Sequence, residues 1–227
     1  MNEVDFITKR FWGAWTTVTH CKICLRGEDV ISFLQGQTTN CVKTLNVSSI
    51  QYNSLLNRLG RIEFFFQLYR NAEKEFWIYS SEVEVDGLIK RLEQFLVADD
   101  VSIERLPVEK NTVVIGQSRL TPTPEAKKFL WFLEPAMLFD KLPEQLLHLP
   151  QLTQSEISNQ YYLSGFFSLK QLDRNPVLNE TVAAEIAWRQ DKGCFLGQEV
   201  VQKIFSRRGA ARLPFLIEAT DVSVDLT

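Results

Sequence analysis

Lys192-Gly193-Cys194-Phe195-Leu196-Gly197-Gln198-Glu199 places a cysteine between two glycines, directly ahead of a stretch with helical spacing that runs from about Gly197 to Phe205. The free amides and positive dipole end of such a helix stabilise a thiolate, and Lys192 and Arg189 add positive charge nearby. Gly193 and Gly197 let the backbone approach a ligand closely. The same residues also read as a helix-entry loop with an inert, packed cysteine, and the physical cues alone leave both readings open.

Working outward, residues 16–40 read as a strand, a turn at Gly27 and a short helix carrying Val30, Phe33 and Leu34, with Gly36 as its C-cap. Residues 51–56 and 61–69 form a strand pair joined by Asn57-Arg58-Leu59-Gly60, a hairpin in which Gly60 can take a positive φ. A third strand follows at 76–79. Ser81 and Glu84 form a capping box for a helix with Val85, Leu88, Ile89, Leu92, Phe95 and Leu96 on one face. Strand candidates follow at 101–103, 112–115 and 129–133. Strands, a helix and returning strands predict a ferredoxin-like unit in the middle of the chain. Beyond Pro135, Pro143 and Pro150, a helix is expected near 155–162, then an irregular linker through 173–176, and finally a basic loop and closing strand after the helix that begins at Gly197.

Composition sets bounds. The chain has 227 residues, 45% hydrophobic and 23% charged, with 16 Phe and 5 Trp, enough to bury a core without staples. A net charge of -3 supplies no overall basic field, so direct nucleic-acid binding is not expected. The first residues lack a secretory pattern and no apolar run reaches membrane length, so a cytoplasmic protein with no membrane partner is expected. In that compartment the four cysteines are thiols. Cys21-Lys22-Ile23-Cys24 lies in a strand-like alternation that points its two sulfurs to opposite faces, no second pair or His cluster completes a site, and no metal is predicted. Cys41 reads as a packing residue.

The octapeptide at 192–199 resembles the K-G-C-[FY]-x-G-Q-E signature of the YgfZ-type folate-binding family, relatives of the glycine-cleavage T protein (an aminomethyltransferase). Gly27-Glu28-Asp29 with Phe33-Leu34-Gln35-Gly36-Gln37-Thr38-Thr39-Asn40 resembles that family's G-x-D-x-x-x-F-L-Q-G-Q-x-T-x-D segment. Leu59-Gly60-Arg61-Ile62 resembles its K-G-R-I hairpin, Phe95-Leu96 with Asp99-Asp100-Val101 its helix-to-strand passage, and Asn179-Glu180 its N-E step. The chain departs from the pattern at Asn40, where the family has Asp, and at Leu59, where it has Lys. Gly165-Phe166-Phe167 stands in for a G-I-P turn, and the folate-stacking tryptophans match none of the five here clearly.

The resemblance implies an α+β aminomethyltransferase-like fold with two interleaved domains around a folate-sized cavity. Residues 1–48 with 155–215 would form the first, folate-binding domain and 49–154 the ferredoxin-like middle domain. Residues 216–227 would be a remnant of a C-terminal barrel that is otherwise absent, leaving 213–219 as an edge open to self-association. It implies tetrahydrofolate or a derivative as cofactor, Cys194 as the functional thiol, and Gln35, Gln37, Thr38, Glu180, Lys192, Gly193, Gly197, Gln198, Glu199 and Arg207 around the ligand. Lys203, Arg207, Arg208 and Arg212 read either as a solvated loop or as an anion site for a folate glutamate tail or an RNA phosphate. The implied role is an accessory one in iron–sulfur cluster assembly or repair with an effect on tRNA modification, and iron–sulfur client or assembly proteins as partners. The transferases' A-R-D segment is missing, which disfavours the alternative, a folate-dependent one-carbon (aminomethyl) transferase; a third reading is an interaction module that has lost folate.

Overall fold

The longest strand among the described residues, β1 (Ala14–Arg26), holds partners along both edges. The structure, a computed structural model, describes residues 13–80, 84–115, 127–131, 134–153, 155–157, 175–181 and 183–207. After β1 come α1 (Val30–Gln37), β2 (Ser49–Leu56), β3 (Ile62–Ala72), β4 (Glu75–Ser80), α2 (Val85–Glu93), β5 (Ser102–Arg105), β6 (Glu109–Ile115), β7 (Lys127–Trp131) and β8 (Glu134–Phe139). The C-terminal part carries α3 (Ala183–Ile186) and α4 (Gln198–Ser206), with single 3-10 turns at Glu144–Leu146 and Leu178–Glu180.

The sheet runs β2-β3-β4-β1-β6-β8-β7, and β5 also pairs with β1. On one edge of β1, Cys21 to Arg26 pair with β4. On the other, Ile23 to Arg26 pair with β5 and Ala14 to His20 with β6. All these ladders are antiparallel. The chain therefore combines α and β elements around a largely antiparallel sheet. Because β1 lies between β4 and β6, that sheet runs unbroken across residue 48.

Alternation along β1 separates two cores. Cys21, Ile23 and Leu25 face a cluster built from Val30, Phe33 and Leu34 of α1 and Val85, Leu88 and Leu92 of α2, closed by Phe66, Leu68, Phe76 and Ile78 of the sheet. Ile89, Phe95 and Leu96 pack against it, as the helical spacing predicts. The opposite side holds Lys22, buried with its ammonium 2.5 Å from Glu109 and 4.9 Å above the Trp77 ring. Cys24 lies on that side too, so the two sulfurs of the C-x-x-C do diverge.

Some local expectations need correcting. Gly36 is not a C-cap: the helix continues to Gln37, and Thr38 closes it with both its amide and its hydroxyl donating to the Leu34 carbonyl. Glu84 precedes the first residue of α2 instead of standing inside its first turn, and the Ser81 half of the capping box lies outside the described residues. β8 was hidden by Pro135, which sits in the first residues of that strand, where a missing N–H costs little. Most of the expected helix at 155–162, the 173–174 end of the linker, Gly165-Phe166-Phe167 and the closing strand at 213–219 lie outside the described residues.

Gly27 has a φ of +145°, and a Cβ there would stand 1.8 Å from the Asp100 carbonyl oxygen. This contact welds the start of α1 to the end of the α2 passage. Asp29 N–H donates to Asp100 O, and Asp100 N–H returns to the Asp29 carboxylate at 2.9 Å. Gly36, by contrast, is helical with open space at its Cβ position. Gly27→Ala is therefore expected to lower unfolding free energy by at least about 3 kcal/mol in urea titration. Gly36→Ala should raise it by about 0.5–1 kcal/mol.

Candidate functional site: the Lys192 loop on the first helix

Residues 35–41, 176–181, 183–189 and 192–201 converge on the β2–β3 hairpin. Tyr52, Leu56 and Ile62 of the hairpin bury against Leu178, Ala183, Ala187, Phe195 and Val201. The hairpin turn supplies the docking surface. Gly60 (φ +71°) and Gly197 (φ +82°) lie back to back, and a Cβ on Gly197 would come within 2.4 Å of the Asn57 carbonyl oxygen. Ile62 N–H donates to Pro176 O, Leu178 N–H to Gly60 O, and the Arg61 guanidinium to Asn175 O at 2.7 Å. The G-R-I element thus secures the segment that leads into Asn179-Glu180.

Lys192 is buried, and its ammonium donates to the carbonyls of Gln35, at 2.6 Å, and Thr38. It also stands 4.8 Å above the Phe195 ring. The Gln35 amide completes the clamp: its NH2 donates to Lys192 O at 2.5 Å and lies 3.9 Å from the Cys41 sulfur, while its oxygen accepts from the amides of Val42 and Lys43. No carboxylate is paired with this ammonium among the described residues, so burial lowers its pKa to about 8, opposed by the nearby Cys41 sulfur. The sequence alone gives Cys41 only a packing role. Burial pushes its thiol up, but hydrogen bonding with Thr44, Gln35 and the Lys43 backbone carries it below the ordinary value.

The next residues close the hub. The Thr39 hydroxyl donates to Ala187 O at 2.5 Å and accepts from Ser54 N–H. The Asn40 amide donates to Tyr52 O and Ile186 O, and its oxygen accepts from Cys41 N–H. Asn40 needs both an amide donor and an acceptor here, which an aspartate could not supply.

The sequence-predicted residues divide into groups. Gln35, Thr38 and Lys192 are brought together in the clamp. Gln37 is on the other side of α1, accepting at 3.4 Å from Arg91, which also binds Glu63. Glu180 accepts from Val177 N–H at 3.0 Å, and Gln198 accepts from Phe195 N–H at 3.2 Å. Gly193 has a φ of +92° and open space around it. Cys194 is exposed, unlike the other three cysteines, and lies three residues ahead of the helix N-cap, Gly197. Glu199 and Lys203 are exposed on α4 and Arg207 at its C-cap; Arg208 and Arg212 lie outside the described residues.

Trp188 was not singled out from the sequence. It packs on the hairpin cluster and meets Phe205 edge-on at 5.2 Å. Its indole nitrogen, the Ser54 hydroxyl and the Asn179 side-chain oxygen are buried without hydrogen-bond partners, all on elements that pack around this one cluster. Tyr52 and Phe65 stack on the same face of the hairpin at 5.0 Å.

The clamp has a pH signature. Lys192 titrates near 8 when folded and near 10.5 when free. Between those values the unfolded chain binds the additional proton, so this residue's contribution to stability rises with pH and is constant below the window. The unfolding free energy of the wild type minus that of Lys192→Met should rise by about 3 kcal/mol between pH 8 and pH 10.5 and then level off. A flat difference in urea titrations would mean that the ammonium is solvated.

No protein-family model matches the chain, and no curated protein matches it. Among solved structures it is similar to aminomethyltransferase T of the glycine cleavage system from Bartonella henselae, with a TM-score of 0.68 and 13% sequence identity. The match covers 90% of this chain and 66% of that protein. At this identity the likeness establishes a shared fold: the chain has the aminomethyltransferase T architecture over most of its length and spans about two thirds of that protein.

Proposed function

We propose that this chain is a folate-binding accessory protein that takes tetrahydrofolate or a derivative against the hairpin face and supports iron–sulfur cluster assembly or repair, with a linked effect on tRNA modification. The observation that carries the reading is the coincidence of two independent facts. The fold is that of a glycine-cleavage aminomethyltransferase, and the octapeptide resembling the YgfZ-type signature is the loop that Lys192 locks onto α1. The clamp fixes the backbone of 192–197 and leaves Cys194 at the surface, where a thiol is accessible to a partner.

The residues on this face carry the kinds of group a pterin would use. Ser54, Asn179 and Trp188 offer buried donors and an acceptor without partners, and the aromatic rings of Tyr52, Phe65 and Trp188 offer stacking surface. Lys203 and Arg207 would meet the glutamate carboxylates. When bound, tetrahydrofolate supplies a carrier of one-carbon units. In this reading Gln35, Thr38, Lys192, Gly197 and Gln198 shape the loop, and Asn179, Trp188 and the exposed cations of α4 hold the ligand. Iron–sulfur client or assembly proteins would be the macromolecular partners, in a cytoplasmic setting. No helix among the described residues is long and apolar enough to cross a membrane.

Calorimetry with mono- and polyglutamylated tetrahydrofolate at two salt levels tests this. Both should bind, the polyglutamylated form more tightly, with an advantage that shrinks as salt screens the exposed charges. Trp188→Ala should weaken both by roughly tenfold, as losing about 1.4 kcal/mol of stacking implies. Arg207→Ala should weaken both forms, the polyglutamylated one more strongly. Absence of binding would contradict the reading and favour an interaction module.

A further inference from the structure

A cleft of about 410 Å³ opens beside the start of β1, away from the Lys192 loop, lined by Thr16, Thr17, Gln151, Leu152, Thr153 and Ile157. Its position on the strand follows from alternation. Thr16 and Thr17 point to opposite faces of the sheet, yet both line the cleft, so it wraps the edge of β1 instead of resting on one face.

That edge has an interrupted ladder. Residues 150–152 run parallel to β1: Trp15 N–H donates to Pro150 O at 3.0 Å, Leu152 N–H donates to Trp15 O at 2.8 Å, and Trp15 pairs with Gln151. The indole of Trp15 adds a bond to Leu149 O. The pairing ends after this rung because Thr153 turns the chain away. Its N–H and hydroxyl both donate to the Glu156 carboxylate at 2.7 Å, Glu156 N–H returns to the Thr153 hydroxyl, and Ile157 N–H donates to Thr153 O. This is a capping box that starts a helical turn. From the other direction, the described residues of β4 pair with β1 as far as Cys21–Ser80.

Alternate residues of a strand present their N–H and C=O along the same edge. Trp15 uses both groups toward residues 150–152, so Thr17 presents its own N–H and C=O one step further along that edge, where the cleft is. Neither group is bonded to a described residue outside the strand ladders. The lining adds hydroxyls and the Gln151 amide over an apolar floor of Leu152 and Ile157, with no charged side chain in the wall among the described residues. Glu156, the nearest acid in sequence, is already held by Thr153.

We propose that this cleft binds an uncharged small molecule bearing a carboxamide or lactam edge, with its N–H on the Thr17 carbonyl and its C=O on the Thr17 amide. A donor and an acceptor side by side on one strand residue match a group that carries both on one edge. The volume is within the range of small-ligand pockets. A carboxylate in the same place would lack the donor and bring an unpaired charge into a neutral wall.

The test is amide NMR on the 15N-labelled full chain, titrated with nicotinamide and with nicotinate as probes of equal size. Nicotinamide should shift the Thr17 and Leu152 amide resonances saturably, and nicotinate should bind at least about tenfold more weakly, the loss expected from one unmade buried hydrogen bond. Ile157→Trp, which fills the cleft, should abolish the shifts. Thr17→Pro removes the donor at an edge position where proline is tolerated and should do the same. Equal shifts with nicotinate, no saturable shift, or binding retained in Thr17→Pro would overturn the proposal. Should a variant fail to fold, the comparison of the two probes on the wild type decides alone.

Discussion

A buried ammonium with no carboxylate beside it among the described residues is the constraint on which the C-terminal half of the site depends. Charge in a low-dielectric setting must be met by fixed dipoles, and Lys192 finds them at the end of α1, where the carbonyls of Gln35 and Thr38 are turned toward it. A helix C-terminus carries the negative end of its dipole, so the cation is placed where the backbone already favours it. Gln35 then binds in both directions, to the Lys192 carbonyl and to the amides after Cys41. One side chain from each segment therefore fixes the other's backbone, and residues 157 positions apart in sequence become a single rigid unit.

That unit needs the sheet to hold it in place. β1 positions α1 through the Gly27–Asp100 contact, and the hairpin approaches Gly197 so closely that a Cβ there would meet the Asn57 carbonyl, while Gly60 holds a positive φ against the Val200 side chain. Cys194 is exposed because the backbone on either side of it is held: Lys192 anchors one side, and Phe195, buried and fixed by Gln198, anchors the other. Exposure with a fixed backbone is what a surface thiol needs in order to meet a partner in one orientation.

Much of this was legible in the sequence because it rests on local chemistry. The Asn-Arg-Leu-Gly hairpin with positive φ at Gly60, the amphipathic α2 and the helix after Gly197 are each specified by a few neighbouring residues. Other features required long-range pairing. β8 was masked by Pro135, and the position of β1 between β4 and β6 has no local signature. The Q-G-Q run invited one role for Gln35 and Gln37, yet helical geometry sends two residues 200° apart to different sides, one to Lys192 and one to Arg91. Cys41 and Trp188 were passed over because what sets them apart, hydrogen bonds to the sulfur and an orphaned indole N–H, arises only when distant segments meet.

Amide hydrogen exchange under native conditions, comparing the wild type with Gln35→Ala, tests the coupling at the centre of this account most directly. The clamp predicts that protection falls together in residues 41–43 and in residues 192–198, while the amides of β1 paired with β4 keep theirs. Loss confined to residues 41–43, with the loop at 192–198 as protected as before, would contradict the claim that Gln35 and Lys192 hold the two segments as one.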